Sequence, residues 1–160
     1  MDTRTDAQAQ ILLEALDDEY RSWATYDQVI ADFGEVRPFI NIREAEARHI
    51  HALLRLFEHY GLAVPANPWP GKAERYTSLQ AACEAGVVAE IANGEMYSRL
   101  LGQTQREDIL RVLSNLQEAS QQRHLPAFQR CAQRGSVGGG NGGSGGSGRG
   151  GQRVRHRGAV

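Results

Sequence analysis

Four stretches of this chain repeat apolar residues at the period of an α-helix, and each is closed by glycine, proline or a short polar turn. Leu12, Leu16, Trp23, Ile30 and Phe33 recur at steps of three, four or seven before Gly34. Phe39, Ile42, Leu53, Phe57 and Tyr60 follow Pro38 and stop at Gly61. Leu79, Cys83, Val87, Tyr97 and Leu101 follow Ser78, a residue suited to capping a helix start. Leu110, Leu113, His124, Phe128 and Cys131 form the last stripe, with Pro126 expected to kink it near its end. Apolar residues at this spacing share one helical face, which has to be buried against another helix. The expected fold is therefore all-α, a four-helix bundle.

The connections order the helices. Gly34 to Arg37 and roughly Thr104 to Glu107 are short, so helices one and two, and helices three and four, are expected to form antiparallel hairpins. Gly61 to Thr77 is long and holds Pro65, Pro68 and Pro70. At up to ~3.3 Å per residue it can run the ~35 Å length of a typical bundle helix. Short, long, short predicts a bundle with one long crossover between helices two and three. Trp69, between two prolines, is expected to pin that crossover to the bundle.

All 19 acidic residues and 14 of the 18 basic ones lie in residues 1–134, which leaves that part at −5. Residues 135–160 are rich in glycine and carry Arg149, Arg153, Arg155 and Arg157 with no acid. They have no apolar stripe to order them and are expected to form a flexible tail, a solubilising extension whose basic end could touch nucleic acid or an acidic partner. Cys83 and Cys131 form no C-x-x-C pair, so no thiolate metal site is signalled. Free thiols in a cytoplasmic protein are the expectation. No apolar run has the length of a membrane span.

Polar residues interrupt the stripes where leucine would serve a plain bundle better. Glu19 lies between Leu16 and Trp23, with Tyr26 seven residues on. Glu46-Ala-Arg-His49 places a carboxylate and an imidazole three residues apart between Ile42 and Leu53, so both can point at one spot. Glu90 lies between Val87 and Tyr97 and repeats the seven-residue Glu-to-Tyr spacing. His124 lies on the last stripe within Gln121-Gln-Arg-His124. A buried, unpaired carboxylate costs several kcal/mol, and three converging ones call for a counter-charge. Divalent iron or manganese, which takes carboxylate oxygen and imidazole nitrogen together, would provide it. His51, which points almost opposite to His49, and His59, beside Gly61 at the helix end, are expected at the surface. Glu95 is a weaker alternative to Glu90, about 140° off its stripe, and Glu118 lies about 120° around the helix from His124.

This pattern resembles the ferritin-like superfamily over residues 6–131, and within it the rubrerythrin and bacterioferritin arrangement of two single glutamates and two Glu-x-x-His pairs. The resemblance implies one or two iron or manganese ions and reaction with dioxygen or peroxide. It implies Glu19, Glu46, His49, Glu90 and His124 as metal ligands, with Tyr26 and Tyr97 as their catalytic partners. One feature departs from the pattern: Gln121 stands where the second Glu-x-x-His would have its glutamate, so the second metal position would be weaker or missing. Bundles of this kind commonly pair, so a homodimer is expected, although no interface residue is marked. The competing reading is a non-enzymatic helical interaction module with a degenerate polar core and a basic tail.

Overall fold

The computed structural model describes residues 3–140, with side chains described for residues 6–134. Those residues are all-helical. Helix α1 is Thr3–Phe33, α2 is Phe39–His59, α3 is Leu79–Leu101 and α4 is Glu107–Ala119. A π-helical turn, Ser120–His124, continues α4 directly into α5, Leu125–Gly140, so the described residues form four long helices. The last of them runs six residues beyond the expected domain edge at Arg134. Once formed, a helix gains one hydrogen bond per added residue and can outrun its apolar stripe. The rest of the tail, 141–160, lies outside the described residues.

Local chemistry sets the helix ends. Gly34, at φ 92°, closes α1, and its N–H bonds the carbonyl of Ile30. Gly61, at φ 64°, donates to Glu58 O while Leu62 N–H reaches Phe57 O. That pair of bonds satisfies the last carbonyls of α2, and a side chain with Cβ would resist the left-handed conformation it needs. Ser78 Oγ accepts the Ala81 N–H at the start of α3.

Helix α1 packs on α2 and α3, and α3 packs on α4 and α5. The connection between α2 and α3 lies along α1. Trp69 Nε1 donates to Asp17 at 2.9 Å under the Arg21 guanidinium, and Arg75 pairs with Asp32 at 2.6 Å. Asp17 and Asp32 stand about 22 Å apart on the helix. Trp69 thus anchors the connection as expected.

The core is divided in two. One apolar cluster gathers Leu12, Leu16, Leu53, Phe57, Leu100 and Leu113; the other gathers Val29, Ile30, Phe39, Ile42, Cys83 and Phe128. The buried glutamates and histidines belong to neither. The stripes also differ in detail from expectation. Trp23, Val87 and Leu110 are half-buried, while Ala24, Gly86 and Ile109 beside them are buried.

Gly86 is buried because the Phe128 ring lies against it. A Cβ there would stand 2.7 Å from two ring carbons. That ring is itself held by Tyr26 and Phe39, with centroids 5.2 and 5.3 Å away. Gly86→Ala is therefore expected to destabilise the protein by about 1–3 kcal/mol in urea unfolding, despite alanine's better helix propensity. An unchanged midpoint would mean that the ring can move aside.

Cys83 and Cys131 correct the sequence expectation. They form a disulfide between α3 and α5, with Cα atoms 5.8 Å apart. Free thiols were expected because 48 residues separate the two in sequence and no motif links them; packing of the two helices brings them together. The pair removes the ground on which a reducing compartment was inferred. No described helix is long and apolar enough to cross a membrane.

Candidate metal centre

The five predicted ligands meet in one polar layer between the two apolar clusters. Glu19, Glu46, Glu90 and His124 are each at most 4% exposed, and the His49 side chain is 11% exposed. They form two overlapping groups, Glu19–Glu46–His49 and Glu46–Glu90–His124. Within each group the ligand atoms lie inside 4.8 Å of one another, so each group could hold a metal ion. Glu46 belongs to both. Its Oε1 is 3.2 Å from His124 Nδ1 and its Oε2 is 3.4 Å from His49 Nδ1. His49 Nδ1 is also 3.5 Å from Glu19 Oε2, and His124 Nδ1 is 3.5 Å from Glu90 Oε1.

Those approaches leave buried valences open. Glu19 Oε2, Glu46 Oε2, His49 Nδ1 and His124 Nδ1 are buried with no hydrogen-bond partner. Such orphaned atoms are costly and uncommon in a folded core. Four of them facing one another, all able to donate lone pairs, are the donor set that a divalent cation would satisfy.

The two predicted tyrosines cross the bundle. Tyr97 of α3 donates to Glu19 Oε1 of α1 at 2.5 Å, and Tyr26 of α1 donates to Glu90 Oε1 of α3 at 2.8 Å. Burial pushes both phenols well above their ordinary range, with the carboxylates beside them adding to it, so both stay protonated donors. Tyr97 bonds the Glu19 oxygen other than the one beside His49, whereas Tyr26 bonds the same Glu90 oxygen that approaches His124; both bonds fix the orientation of the carboxylate.

The electrostatics are those of carboxylates crowded around two imidazoles. Burial, then Glu46, raises Glu19 to about 8. Glu46 is held below its usual value: burial opposes this, but Glu19 and the two imidazoles outweigh it. Burial also opposes charge on His49, yet Glu19 and Glu46 raise it to about 10. His124 is raised to about 9 by Glu46 and Glu90, against burial. Without a cation, protons supply the counter-charge.

The last ligand helix departs from regular geometry at the centre. Gln121, predicted to face inward at the place of a missing carboxylate, makes no hydrogen bond to the side chains of the candidate ligands. Its amide packs where Gly94 lacks a side chain and donates to the Glu90 backbone carbonyl at 2.7 Å. Ser120 takes the inner position, and its hydroxyl donates to Glu90 Oε2 at 2.5 Å. The π turn causes the exchange: the Leu125 N–H bonds the Ser120 carbonyl, five residues back, so residues four apart share a face. Pro126, which has no N–H to donate and was expected to kink the helix, follows directly after this widened turn. Burial at steps of four marks the widened turn. Leu116, Ser120, His124 and Phe128 are all buried at steps of four, a series that drifts ~40° per step in a regular α-helix and stays inward only if the helix widens.

Asp18 and Asn93 were also not singled out by sequence. The Asn93 amide donates to Asp18 at 2.6 Å beside the centre. Burial raises Asp18 to about 6 against that bond, with Glu19 and Glu90 adding to the rise. His51 and His59 are exposed, as expected, and Glu95 and Glu118 are exposed too, so neither joins the cluster.

A solved structure of a hypothetical protein from Methanococcus jannaschii is similar to this chain, with a TM-score of 0.71 at 22% identity over 79% of this chain and 80% of that one. The likeness is one of fold. No protein-family model and no curated protein matches the chain.

Proposed function

We propose that this chain is a ferritin-like metal-binding protein that holds one or two ions of iron or manganese and carries out oxidase-type chemistry on dioxygen or peroxide. The observation behind this reading is the shared carboxylate: Glu46 lies in both ligand groups, with an imidazole beside each of its oxygens. The ferritin-like topology, with antiparallel hairpins and a long crossover, is part of the proposal. Residue pairing supports it. Glu19 meets His49 while Asp27 meets Arg43, Gln117 meets Ser98 while Ser120 meets Glu90, and the α2–α3 connection touches α1 at Asp17 and Asp32.

Bound iron or manganese would supply a Lewis acid that can exchange electrons with dioxygen or peroxide. The chain's own residues do the rest. Glu19 and His49 would hold one ion and Glu90 and His124 the other, with Glu46 belonging to both groups. Tyr97 and Tyr26 fix the orientation of the Glu19 and Glu90 carboxylates through one hydrogen bond each. Ser120 occupies Glu90 Oε2, which leaves Glu90 only one oxygen for a metal, itself shared with Tyr26. The Glu90 position is therefore the weaker of the two.

Anaerobic loading with Fe(II) or Mn(II), followed by metal analysis and a melting curve, tests the reading. Between one and two equivalents are expected to remain after desalting. Saturation at ~100 times the dissociation constant is expected to add about 2.7 kcal/mol of stability. Retention of less than about a tenth of an equivalent, with an unchanged melting temperature, would leave the helical interaction module as the better account.

A further inference from the structure

Each imidazole of the centre is preceded by an arginine: Arg48-His49 in α2 and Arg123-His124 in the π turn. The fold sets these two dipeptides side by side. The imidazole rings stack with centroids 5.5 Å apart and planes 17° apart. A groove of about 470 Å³ is lined by both histidines and both arginines, and Ala45 and Ala119 keep it open. A second depression of about 340 Å³ shares Arg48, Arg123 and His124 and adds Arg37.

No aspartate or glutamate lines either hollow. That is unusual on a body whose residues 1–134 carry −5. Arg37, Arg48 and Arg123 are exposed, and among the described residues none of them takes part in an ion pair. Arg43, Arg75 and Arg99 are neutralised by Asp27, Asp32 and Glu14, and other exposed arginines such as Arg55 and Arg111 are unpaired among the described residues. What sets Arg37, Arg48 and Arg123 apart is that they line hollows free of acid. A guanidinium presents parallel N–H donors that match a carboxylate or phosphate, and an acid-free hollow concentrates anions.

We propose that this groove binds a small molecule through an oxyanion group, carboxylate or phosphate, held between Arg48 and Arg123 beside the paired histidines. The inference goes beyond the metal reading and does not require it, because the anion is held by the arginines. If the centre is loaded, the same ligand lies against its histidine face, so the groove is the subsite that selects acidic substrates.

Isothermal titration of the full chain at fixed ionic strength tests this, with sodium phosphate and sodium succinate as separate probes and sodium chloride as the control. Saturable binding of at least one probe is expected, and the probe that binds distinguishes phosphate from carboxylate recognition. R48A/R123A is expected to weaken that binding by at least about tenfold. Arg149, Arg153, Arg155 and Arg157 are common to both proteins, so anion binding by them cancels in the comparison. R48Q/R123Q, which keeps the side-chain bulk, is read in the same way should the alanine variant fold poorly. Binding no stronger than that of chloride, or equal binding by wild type and variant, overturns the proposal. Metal content is scored separately. A protein that takes metal but no anion overturns this inference alone, and one that takes the anion but no metal overturns the metal reading alone.

Discussion

Glu46→Gln is expected to abolish metal retention at both positions, the largest single effect any residue of the centre can have. Each of the other four ligands belongs to one group, whereas Glu46 supplies an oxygen to both. The amide keeps the shape of the side chain but loses the charge, and one of its two faces becomes a donor aimed at an imidazole. Loss of an outer-sphere partner alone commonly weakens metal binding by about 10–100-fold. Loss of the bridging ligand should exceed that, with affinity falling by on the order of a hundredfold or more at each position. His124→Ala, in contrast, is expected to remove only the weaker position and leave about one equivalent bound. Exposed Glu118 serves as the control, since Glu118→Ala should bind as the wild type does. Metal analysis beside a Mn(II) spin-resonance titration reads all three variants. Full stoichiometry in Glu46→Gln, with affinity within about threefold of wild type, would rule out a shared ligand.

The metal-free protein is expected to lose stability as pH rises from about 5 to about 9, the reverse of the usual behaviour of an acidic protein. The sign follows from which state holds the protons. Asp18 is raised to about 6, Glu19 to about 8, His124 to about 9 and His49 to about 10. Between the unfolded value of each group and its raised folded value, the native state binds more protons than the unfolded chain. The stability from the two histidines is fully present below ~6.5 and is lost as pH climbs through 9 and 10. The share from Asp18 and Glu19 disappears earlier, by about 6 and 8. Glu46, held low, acts oppositely and sets the acid limit, because its contribution is lost only as pH falls below the ordinary carboxylate range.

One extra proton held across the interval from 6.5 to 9 corresponds to about 3 kcal/mol, enough to lower the melting temperature by roughly 10 °C. Bound cations replace those protons, so metal affinity should strengthen with pH and the loaded protein should lose the alkaline decline. Calorimetry at pH 5, 7 and 9, with chelator and with Mn(II), measures both trends. A chelator-treated protein that melts at the same temperature or higher at pH 9 would show that the cluster is not stabilised by protons.

The candidate ligands were legible because each breaks a rule that its neighbours obey. Glu19, Glu46 and Glu90 stand on stripes otherwise built of leucine, isoleucine and valine, and an ionisable group there has to be compensated. The Glu46-x-x-His49 spacing needs only regular helix geometry. The same assumption of regularity misplaced Gln121. Counting by threes from His124 reaches Gln121, while the widened turn makes Ser120 the inward residue. A π turn is decided by what the helix packs against, here the Glu90 carboxylate and backbone carbonyl that Ser120 and Gln121 engage.

Sequence by itself determined the helices, their punctuation and the five clustered Glu and His residues, because period, capping and the cost of a buried charge act within a few residues of one another. Tertiary structure alone decided three things: the disulfide between Cys83 and Cys131, the crossed tyrosine bonds from Tyr26 to Glu90 and Tyr97 to Glu19, and the meeting of the two Arg-His pairs over one groove. Each joins residues on different helices, 48 or more positions apart in the chain. Contact at that separation depends on the rotation and offset of packed helices, which no local pattern of residues encodes.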